Sequence, residues 1–429
     1  MNRRNDFEVA RRGSTAPEAP LVWKFGGTSV ADHDRLRAVA ERMVAAQRSG
    51  RGVVAVLSAM GKSTDELVGL ASQMSARPPL RELDALLSVG ESISCALAAI
   101  AVADLGSRAV SLTGRQAGIG TDARHGNARL IGIDPKRITD ELAGGAIVLV
   151  TGFQGVSAEG DVTTLGRGGS DASAVAVAAA LGATECEIFT DVPAVFTADP
   201  RVVPDARRLY SIRHEEMLEM AEAGAGVLQP RSVELAQAHG VDIHLRSSFS
   251  TEEGTWIRRE APGSPGSGFE GAGAAEVAGI AHRRQESLYS VDRVTTGAVA
   301  AALADRGIAM GSAVPTATGL RFTAPGAEPA EVGAALDAIG AATTVDEELG
   351  SVSVISLGIS RKPDITMRAL AALEEAGITA SLVTTTPGRM TAAVPSAQVE
   401  DAARLLHAIF IPAVSAAAVT GVRASVDAA

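Results

Sequence analysis

The sequence predicts an α/β protein: a mostly parallel open sheet with helices on both faces, followed by two smaller α+β domains. From Leu21 to about Ile257, short aliphatic runs alternate with amphipathic helical segments, which is the order of strands joined by crossover helices. Residues 259–275 are rich in Pro, Gly and Ser, as expected of an interdomain linker. Beyond the linker the chain nearly repeats itself, which indicates two related small domains.

Composition narrows the class of protein. A length of 429 residues allows about two to four domains. The 46% apolar content and 3% aromatic content suit tightly packed small side chains and exclude a disordered chain. The net charge of −11 argues against a nucleic-acid or membrane partner, and we expect no apolar stretch long enough to span a bilayer. Residues 1–20 lack the apolar region of a secretory signal, so we expect a disordered tail on a cytoplasmic protein.

Cysteine and histidine usage predicts no metal centre. Cys95 and Cys186 lie among alanines and aliphatic residues, and we interpret them as buried small hydrophobes in a reducing cytosol. The 7 histidines show no metal-ligand spacing, so no protein metal site is predicted.

Strands and helix ends can be located in the first domain. Val53–Leu57 and Ile147–Val150 are continuous aliphatic runs, typical of strands buried on both faces. Ser63-Thr-Asp-Glu66 matches a capping box at a helix start. Glycines at positions 182, 224 and 240 are predicted to cap the C-terminal ends of three helices, namely Ala174–Leu181, Glu215–Ala223 and Ser232–His239.

The C-terminal repeat has a clear period. Ala301–Ile308 matches Ala371–Ile378, a shift of seventy residues, and Gly319 and Gly388 precede matching strand-like segments. Each copy has the order strand, helix, strand, turn, strand, helix, which is the ferredoxin-like unit. The predicted segments are a tail (1–20), an N-terminal domain (21–258), the linker (259–275), a first repeat domain (276–345, completed by a strand near 413–424) and a second repeat domain (346–412).

The segment Lys24-Phe-Gly-Gly-Thr-Ser29 is the first candidate for chemistry. It places an ammonium group at the end of a buried strand and then two glycines, whose backbone lets a ligand approach closely. Lysine supplies charge to phosphate oxygens, and successive N–H groups form an anion-binding concavity. Alone the segment is also compatible with an ordinary strand and turn.

A second candidate is the glycine-rich stretch Asp161–Asp171, which opens a helix. A turn of this kind points free N–H groups and the positive end of the helix dipole at a ligand. Arg167 adds a planar fork suited to a carboxylate or phosphate. Asp171 would either organise cationic groups or cap the helix, and the sequence leaves both interpretations open.

Two further segments carry polar residues near predicted element ends. Thr190–Arg201 begins at a strand end and continues as a polar loop, where open α/β sheets bind ligands. Ser88-Val-Gly-Glu91 leads into an alanine-rich helix. Its carboxylate could meet a substrate ammonium group or only favour the helix dipole.

Seven motifs now stand in order, namely KFGGTS, LLSVGE, LTGRQAG, HGNAR, GFQG, TTLGRGGSD and VFTADPR. In this order and at these intervals they resemble the aspartate kinases (aspartokinases) of the amino-acid kinase family. The resemblance begins near residue 21 and reaches the C-terminal end, where the repeats are similar to that family's paired ACT regulatory domains. It implies an amino-acid kinase-type sheet over residues 21–258. It also implies transfer of the ATP γ-phosphoryl group to the side-chain carboxylate of L-aspartate, giving 4-phospho-L-aspartate, which opens the lysine, methionine and threonine branch.

The resemblance also implies roles for individual residues. Lys24 would contact the transferring phosphoryl group, Asp171 would orient cationic groups, Glu91 would face the amino group of aspartate and Arg167 would hold one of its carboxylates. The residues expected around aspartate are Thr28, Ser29, Thr64, Glu91, Arg167, Gly168, Gly169 and Ser170. Those expected to bind ATP are Lys24, Gly26, Gly27, Thr190, Asp191, Phe196, Arg201, Gly226 and Val227. Mg²⁺ would bridge phosphate oxygens, and no general base is required because the nucleophile is already an ionised carboxylate.

The chain departs from the family pattern in Ala223–Arg231. The segment resembles the family's Gly-Ala-Lys-Val-Leu-His-Pro-Arg, but Gly226 stands in place of the lysine and Gln229 in place of the histidine. In the family that lysine reaches the ATP phosphates, and loss of a comparable contact typically costs about 10²–10³ in rate. Arg231 or an additional metal ion would have to compensate. Phe196 replaces a usual tyrosine, which keeps the ring and removes a hydroxyl.

The first repeat departs further. The family clamps an amino-acid effector with an Asp-x-Pro-Gly loop and a Gln-Asn pair. Here Asp292–Gly297 contains no proline, and Val314-Pro315 falls near the Gln-Asn position. Without the amide side chains, a buried amino acid would leave polar groups unpaired at about 1–3 kcal/mol each. We therefore expect lysine and threonine to inhibit weakly or not at all.

Alternatives to a working aspartate kinase stay open on sequence alone. Gly226 and Gln229 also fit a catalytically weak relative that serves as a regulatory or binding subunit. A kinase of another acidic amino acid and a small-molecule sensor built on the ACT pair are the other two. The repeats predict a homodimer formed through the ACT-like domains, because exposed sheet edges favour pairing.

Overall fold

The computed structural model describes residues 19–260 and 276–411. The chain folds into two compact units. Of the described residues, the first unit contains 19–195, Arg208–Ala221 and 226–260, and the second contains Phe196–Arg207, Glu222–Ala225 and 276–411. The predicted tail up to residue 18, linker residues 261–275 and the predicted strand near 413–424 lie outside the described residues.

Strands and helices alternate along the first unit, and the elements of both units have the following bounds within the described residues. The helices are α1 (His33–Arg48), α2 (Ser63–Met74), α3 (Leu80–Leu87), α4 (Val89–Asp104), α5 (Lys136–Ala143), α6 (Gly169–Leu181), α7 (His214–Glu222), α8 (Pro230–His239), α9 (Thr296–Ala304), α10 (Pro329–Asp337), α11 (Pro363–Glu375) and α12 (Val399–Phe410). The strands are β1 (Leu21–Phe25), β2 (Val53–Leu57), β3 (Ala109–Leu112), β4 (Ile119–Thr121), β5 (Leu130–Ile133), β6 (Ile147–Thr151), β7 (Gln154–Val156), β8 (Val162–Thr164), β9 (Glu185–Thr190), β10 (Val195–Phe196), β11 (Arg208–Leu209), β12 (Ser211–Arg213), β13 (Asp242–Ser247), β14 (Thr255–Arg258), β15 (Gly279–Asp292), β16 (Ala313–Pro315), β17 (Gly319–Thr323), β18 (Ala342–Ile355), β19 (Leu382–Thr385) and β20 (Arg389–Pro395).

An eight-stranded sheet organises the first unit, in the order β12-β14-β13-β9-β1-β2-β6-β3. The pairs from β13 through β3 are parallel, and β14 runs antiparallel to β13. Every residue of β2 and β6 is buried, as expected of strands covered on both faces. The predicted mostly parallel sheet is therefore confirmed.

A second, four-stranded sheet of the first unit has the order β5-β4-β7-β8. The β4–β5 pair is antiparallel and carries the HGNAR motif in its connection. Strand β7 follows β6 almost directly, and β8 leads into α6. The HGNAR, GFQG and TTLGRGGSD motifs therefore lie in or beside this small sheet, and the last of them continues into α6, which begins at Gly169.

The predicted helix ends agree with the structure better than the predicted starts. Gly182 and Gly240 have left-handed φ values of 71° and 66° at the ends of α6 and α8, so these caps are confirmed. Gly224, just after α7, has a positive φ of 111°. The three helices begin at Gly169, His214 and Pro230, earlier than predicted.

The capping box predicted at Ser63 was wrong. Lys62 occupies the N-cap position of α2, and Ser63 is already helical. The Ser63 hydroxyl donates back to the Met60 carbonyl at 2.6 Å, so it closes the preceding turn and accepts no helix N–H. The local sequence pattern does not distinguish these two uses of a serine.

One apolar stretch contradicts the sequence expectation. By length and composition alone, the helical stretch Leu80–Asp104 could cross a membrane, and 39% of its most apolar window is buried in the protein. The stretch consists of α3 and α4, and α4 packs on α1 and β3. Its buried face contains Glu91 and Cys95. Cys95 and Cys186 are both buried and free, as predicted.

The second unit contains a six-stranded antiparallel sheet in the order β16-β17-β15-β18-β20-β19. Strands β15 and β18 have 14 residues each and pair with one another along the centre. One hydrophobic cluster packs α9 and α10 around Phe322, and another packs α11 and α12 around Val354. The repeated sequence segments form equivalent elements, because α9 corresponds to α11 and β17 to β20. These are the α+β elements that the repeat predicts.

Candidate active site

The segments that follow β1, β2, β6 and β9 lie side by side because parallel strands end at a common edge. In the sheet register, Phe25 of β1 lies opposite both Leu57 of β2 and Phe189 of β9, and Leu57 lies opposite Thr151 of β6. The motifs KFGGTS, GFQG and the Thr190 loop begin at these strand ends. Loops beyond the carboxyl ends of strands form the ligand crevice of open α/β sheets.

A buried ion pair lies at this edge. Lys24 is the fourth residue of β1, and its Nζ lies 2.6 Å from Oδ1 of Asp171, with both side chains 11% exposed. Asp171 stands in the first turn of α6, while Gly168 is the N-cap residue. The sequence left two roles open for Asp171, the partner of a cation or the cap of the helix. In the structure it is the partner of a cation, Lys24. An ammonium paired on one side still has protons to donate to phosphate.

The two glycines after Lys24 have different roles. Gly26 donates its N–H to the Phe189 carbonyl at 3.0 Å, so it does not offer the free backbone donor that we expected. A Cβ on Gly26 would lie 3.4 Å from Lys24 Nζ, and one on Gly27 would lie 3.0 Å from the Ala59 carbonyl oxygen. A short 3₁₀ helix begins at Gly27, and the first N–H groups of a helix have no partner within it. Gly27 is thus the better placed of the two to donate to an anion.

The hydroxyl residues of the same segment differ in exposure. Thr28 is exposed, whereas Ser29 is 1% exposed and accepts a hydrogen bond from the Ser248 hydroxyl at 2.6 Å. Thr64 is half-buried in the first turn of α2. Sequence reasoning missed Ser248, although its position directly after the end of β13 is the signal that could have identified it.

Glu91 is a buried carboxylate with an unused oxygen. It is 3% exposed in the first turn of α4, and its Oε1 accepts the Ala59 N–H at 3.2 Å. Its Oε2 is buried and has no hydrogen-bond partner among the described residues. Burial raises the pKa of Glu91 to about 7. A buried carboxylate of this kind is suited to receive an ammonium group from a ligand, which would restore its ionised form.

The glycine-rich turn presents Arg167 outward. Arg167 is exposed, and it lies between Gly166 and Gly168, whose φ values of 75° and 70° are in the left-handed region. Gly169 is tightly packed, since a Cβ there would lie 2.8 Å from the Leu165 Cβ. Ser170 is 8% exposed at the start of α6. The turn therefore has a packed base and a free guanidinium.

The GFQG motif supports this turn, and sequence reasoning gave its residues no role. Phe153 has a φ of 67°, a strained value for a bulky side chain, and its ring lies against Gly169. A Cβ on Gly152 would lie 2.7 Å from the Ser170 side chain. The Thr151 hydroxyl is buried without a hydrogen-bond partner among the described residues. Left-handed geometry at a non-glycine residue is a tertiary feature with no local sequence signal.

The predicted nucleotide residues fall in both units. Thr190 ends β9, and its hydroxyl donates to Asp191 Oδ1 at 3.1 Å. Phe196 and Arg201 belong to the second unit. There Arg201 forms a fork with Asp199, with Nη2 to Oδ2 at 2.8 Å, and this contact lowers the pKa of Asp199.

The segment that departs from the family pattern is exposed at Gly226 and at least half-buried elsewhere. Gly226 is exposed, and a Cβ built there meets no atom within 4 Å, while Val227 is half-buried. The Gln229 side chain lies directly over Gly168, because a Cβ on Gly168 would lie 1.9 Å from Gln229 Cγ. Arg231 Nη1 donates to the Leu165 carbonyl at 3.1 Å, and burial lowers its pKa. Arg231 is therefore anchored to the backbone at the base of the Arg167 turn.

Comparison with known proteins identifies the family. Residues 20–247 match the model of the amino acid kinase family. The chain is 44% identical over 411 residues to the aspartokinase of Mycolicibacterium smegmatis, covering 91% of this chain and 96% of that one. It is 42% identical to the aspartokinase of Geobacillus stearothermophilus, covering 93% and 99%. Escherichia coli aspartokinase III, solved with aspartate and ADP, shares the fold with a TM-score of 0.78 at 24% identity, covering 91% and 99%. Since the family model spans more than half of the chain, and relatives above 40% identity span nearly all of it, this chain belongs to the amino acid kinase family, among its aspartokinases.

Proposed function

We propose that this chain transfers the γ-phosphoryl group of ATP to the side-chain carboxylate of L-aspartate, giving 4-phospho-L-aspartate and ADP. The observation that carries the proposal is the buried Lys24–Asp171 pair at the carboxyl edge of the sheet. Phosphoryl transfer requires positioning and charge neutralisation more than covalent help from the protein. A lysine that is desolvated and held in place satisfies the second requirement at little reorganisation cost.

The reaction forms one P–O bond and breaks another. A carboxylate oxygen of aspartate attacks the γ-phosphorus, the bond from that phosphorus to the β–γ bridging oxygen breaks, and ADP leaves with the electron pair. No proton is transferred, because the nucleophile is already ionised. Lys24 contacts the transferring group, and Asp171 holds the Lys24 ammonium 2.6 Å away at the N-terminus of α6.

Aspartate has two kinds of charge to satisfy. The unused Oε2 of Glu91 receives its ammonium group, and the exposed guanidinium of Arg167 receives a carboxylate as a planar fork. The other residues assigned to this substrate are Thr28, Ser29, Thr64, Gly168, Gly169 and Ser170. A pocket that combines a buried carboxylate with a guanidinium favours a small acidic amino acid.

The nucleotide is assigned to the remaining candidates. Gly27 donates from the first turn of its 3₁₀ helix, and Gly26 leaves room for the Lys24 ammonium. The other residues assigned to ATP are Thr190, Asp191, Phe196, Arg201, Gly226 and Val227. Arg231 uses one of its five N–H donors on the Leu165 carbonyl and is not assigned to the nucleotide here.

Magnesium fits the donors of this edge. Mg²⁺ prefers oxygen ligands, retains waters and binds through one or two carboxylates together with substrate phosphates. Asp171 and the exposed Asp191 are the carboxylates among the residues assigned here to catalysis and the nucleotide, which suits an ion carried in by ATP. When bound, the ion neutralises charge on the phosphate oxygens.

Domain organisation and regulation complete the proposal. We assign residues 21–258 to the kinase domain, 276–345 and 346–412 to two ACT-like domains, and the assembly to a cytoplasmic homodimer formed through them. Lysine and threonine inhibit weakly, because Val314 and Pro315 stand on an exposed edge strand and offer no side-chain amide. The side chain of Asp292 already accepts a hydrogen bond from Thr318. A dimer mass in light scattering supports the assembly, and half-inhibition by either amino acid at sub-millimolar concentration contradicts the weak feedback.

The test is ADP release by the purified full chain with MgATP and L-aspartate, with the acyl phosphate trapped as its hydroxamate. We expect release that depends on aspartate and a matching yield of hydroxamate. Reactions without aspartate, and with L-glutamate in its place, are the controls for ATP hydrolysis and for substrate class. Absence of aspartate-dependent hydroxamate in the wild-type protein overturns the proposal, and a higher yield with glutamate reassigns the substrate.

A further inference from the structure

Asp84 is a fully buried carboxylate that no step of the proposed reaction uses. It lies on α3 with 0% exposure. Its Oδ2 lies 2.8 Å from Nδ1 of His125, both oxygens accept the Gly126 N–H at 3.0 Å, and Oδ1 accepts the Thr164 hydroxyl at 2.5 Å. We call these four residues the Asp84 hub. A carboxylate removed from water needs such a set of donors, so the hub is held together strongly.

The donors of the hub come from two segments that flank the Arg167 turn. His125 and Gly126 lie in the β4–β5 connection, and Thr164 is the last residue of β8, three positions before Arg167. The same segments are joined by a backbone hydrogen bond from Ala128 N–H to the Thr164 carbonyl at 2.8 Å. Through the hydrogen bonds of the hub, Asp84 on α3 holds together the two segments that form the base of the Arg167 turn. We call this arrangement the clamp.

Besides the hub, the turn is packed against the GFQG motif and Gln229, but neither contact reaches the guanidinium at its tip. Arg167 makes no hydrogen bond or ion pair with another residue in the described part of the chain. Gly166 and Gly168 on either side of it have left-handed φ values, and glycine visits many other conformations. A Cβ on Gly166 would lie 3.0 Å from Asn127 Oδ1, so the β4–β5 connection also limits this glycine. Placement of the guanidinium thus depends on how firmly the base of the turn is held, and the hub is one of the contacts that hold it.

We propose that Asp84 is a positioning residue for aspartate binding, acting through His125, Gly126 and Thr164 on Arg167. This inference rests on the proposed function, because it assigns the turn to the carboxylate of aspartate. Asp84 itself is fully buried and is assigned no contact with either substrate. A misplacement of about 1 Å at a binding group is enough to reduce catalysis about 100-fold. The effect is therefore expected on the KM for aspartate far more than on the KM for ATP.

The kinetic test compares variants of the hub with a matched buried carboxylate. In Asp84→Asn one oxygen becomes an amide donor, so the hub loses its negative charge, and His125 can stay bonded to that group only through its other tautomer. His125→Ala removes the ring donor, whereas His125→Asn keeps an N–H close to the Nδ1 position. Glu216→Gln is the control, because Glu216 is 1% exposed in the first unit and is bound by Arg213 at 2.8 Å, outside the hub and the assigned site.

We expect Asp84→Asn and His125→Ala to raise the KM for aspartate about 10- to 100-fold. The KM for ATP should change less than about twofold, and His125→Asn should recover most of the loss. Glu216→Gln should lower the unfolding temperature with both KM values unchanged. Equal rises in both KM values for Asp84→Asn, or the same kinetic profile for Glu216→Gln, would assign Asp84 a purely structural role. Thr164→Val, a milder change, keeps the test decisive if Asp84→Asn fails to fold.

Hydrogen exchange separates this inference from the proposed function. Amide exchange in residues 163–169 should be faster in Asp84→Asn than in the wild type, and unchanged in Glu216→Gln. This readout needs no turnover, so it tests the clamp even if the wild type makes no acyl phosphate. Unchanged exchange in these residues would overturn the clamp whatever the kinetics show.

Discussion

The two sides of the candidate site differ in how firmly the fold holds them. Lys24 and Asp171 are buried, paired at 2.6 Å and supported by strand ends whose register is set by the sheet. Gly226, in contrast, lies on the surface in the connection between α7 and α8 with no atom within 4 Å of its Cβ position. A change in the buried pair therefore breaks existing contacts, whereas position 226 has room for an added side chain.

The first prediction concerns the buried Lys24–Asp171 pair and has the largest expected effect. Lys24→Met should lower kcat for ADP release by a factor of about 10²–10³ or more. The reason is that the preorganised positive charge assigned to contact the transferring phosphoryl group is lost. The substitution also leaves Asp171 buried without its partner, which destabilises the fold. The double variant Lys24→Met/Asp171→Asn should recover stability but not activity. Activity within threefold of the wild type in the single variant would refute the role of Lys24.

The second prediction adds to the exposed side. Gly226→Lys should raise kcat/KM for ATP about 10- to 100-fold, because a charge is added where the family pattern has one and no atom obstructs it. Gly226→Met, of similar length without charge, is the control and should leave kcat/KM within about twofold. If the wild-type protein releases no ADP and Gly226→Lys does, the chain is a kinase fold that has lost its catalytic activity. An equal gain in both variants would show that the charge is not the cause.

The third prediction follows from the raised pKa of Glu91, about 7. The ionised form attracts the substrate ammonium, so the KM for aspartate should fall about tenfold per pH unit as pH rises toward 7 and level off above it. Burial opposes ionisation in the folded protein, so the contribution of Glu91 to stability is present at low pH and is lost as pH rises through about 7.

The matched variant for this pH effect is Glu91→Gln, which keeps the shape of the side chain and cannot ionise. Its KM for aspartate should be high and flat between about pH 6 and pH 8, on either side of the Glu91 pKa. Initial rates at fixed, saturating MgATP across this range provide the measurement. A flat profile in the wild type would mean that Glu91 does not face the ammonium group.

The fourth prediction concerns the boundary between the two sides. Gly168→Ala should lower the free energy of unfolding by about 1–3 kcal/mol, because φ is 70° and the new methyl group would collide with Gln229. Gly182→Ala at the other end of α6 is a close control, since its φ is 71° and no atom lies within 4 Å of the Cβ position. Urea unfolding of both variants separates backbone strain from the collision, and equal losses would exclude a contribution from Gln229.

The parts of the fold that were predictable are those with a clear local sequence signal. The aliphatic runs of β2 and β6 and the glycines that end α6 and α8 were located from sequence, and the resemblance to aspartokinases is confirmed. The capping box at Ser63 failed, and α3 with α4 proved apolar enough to span a membrane by composition. In both cases the local pattern had two physical uses, and packing chose between them.

The site divides in the same way. The ordered motifs were enough to name Lys24, Glu91, Arg167 and Asp171 as candidate residues without reference to contacts. The pairing of Asp171 with Lys24, the bond from the Gly26 N–H to Phe189 and the hydrogen bonds of Asp84 beneath the Arg167 turn are visible only in the folded chain. These contacts join residues far apart in the chain. Their partners are set by strand register and helix packing, which a linear pattern does not contain.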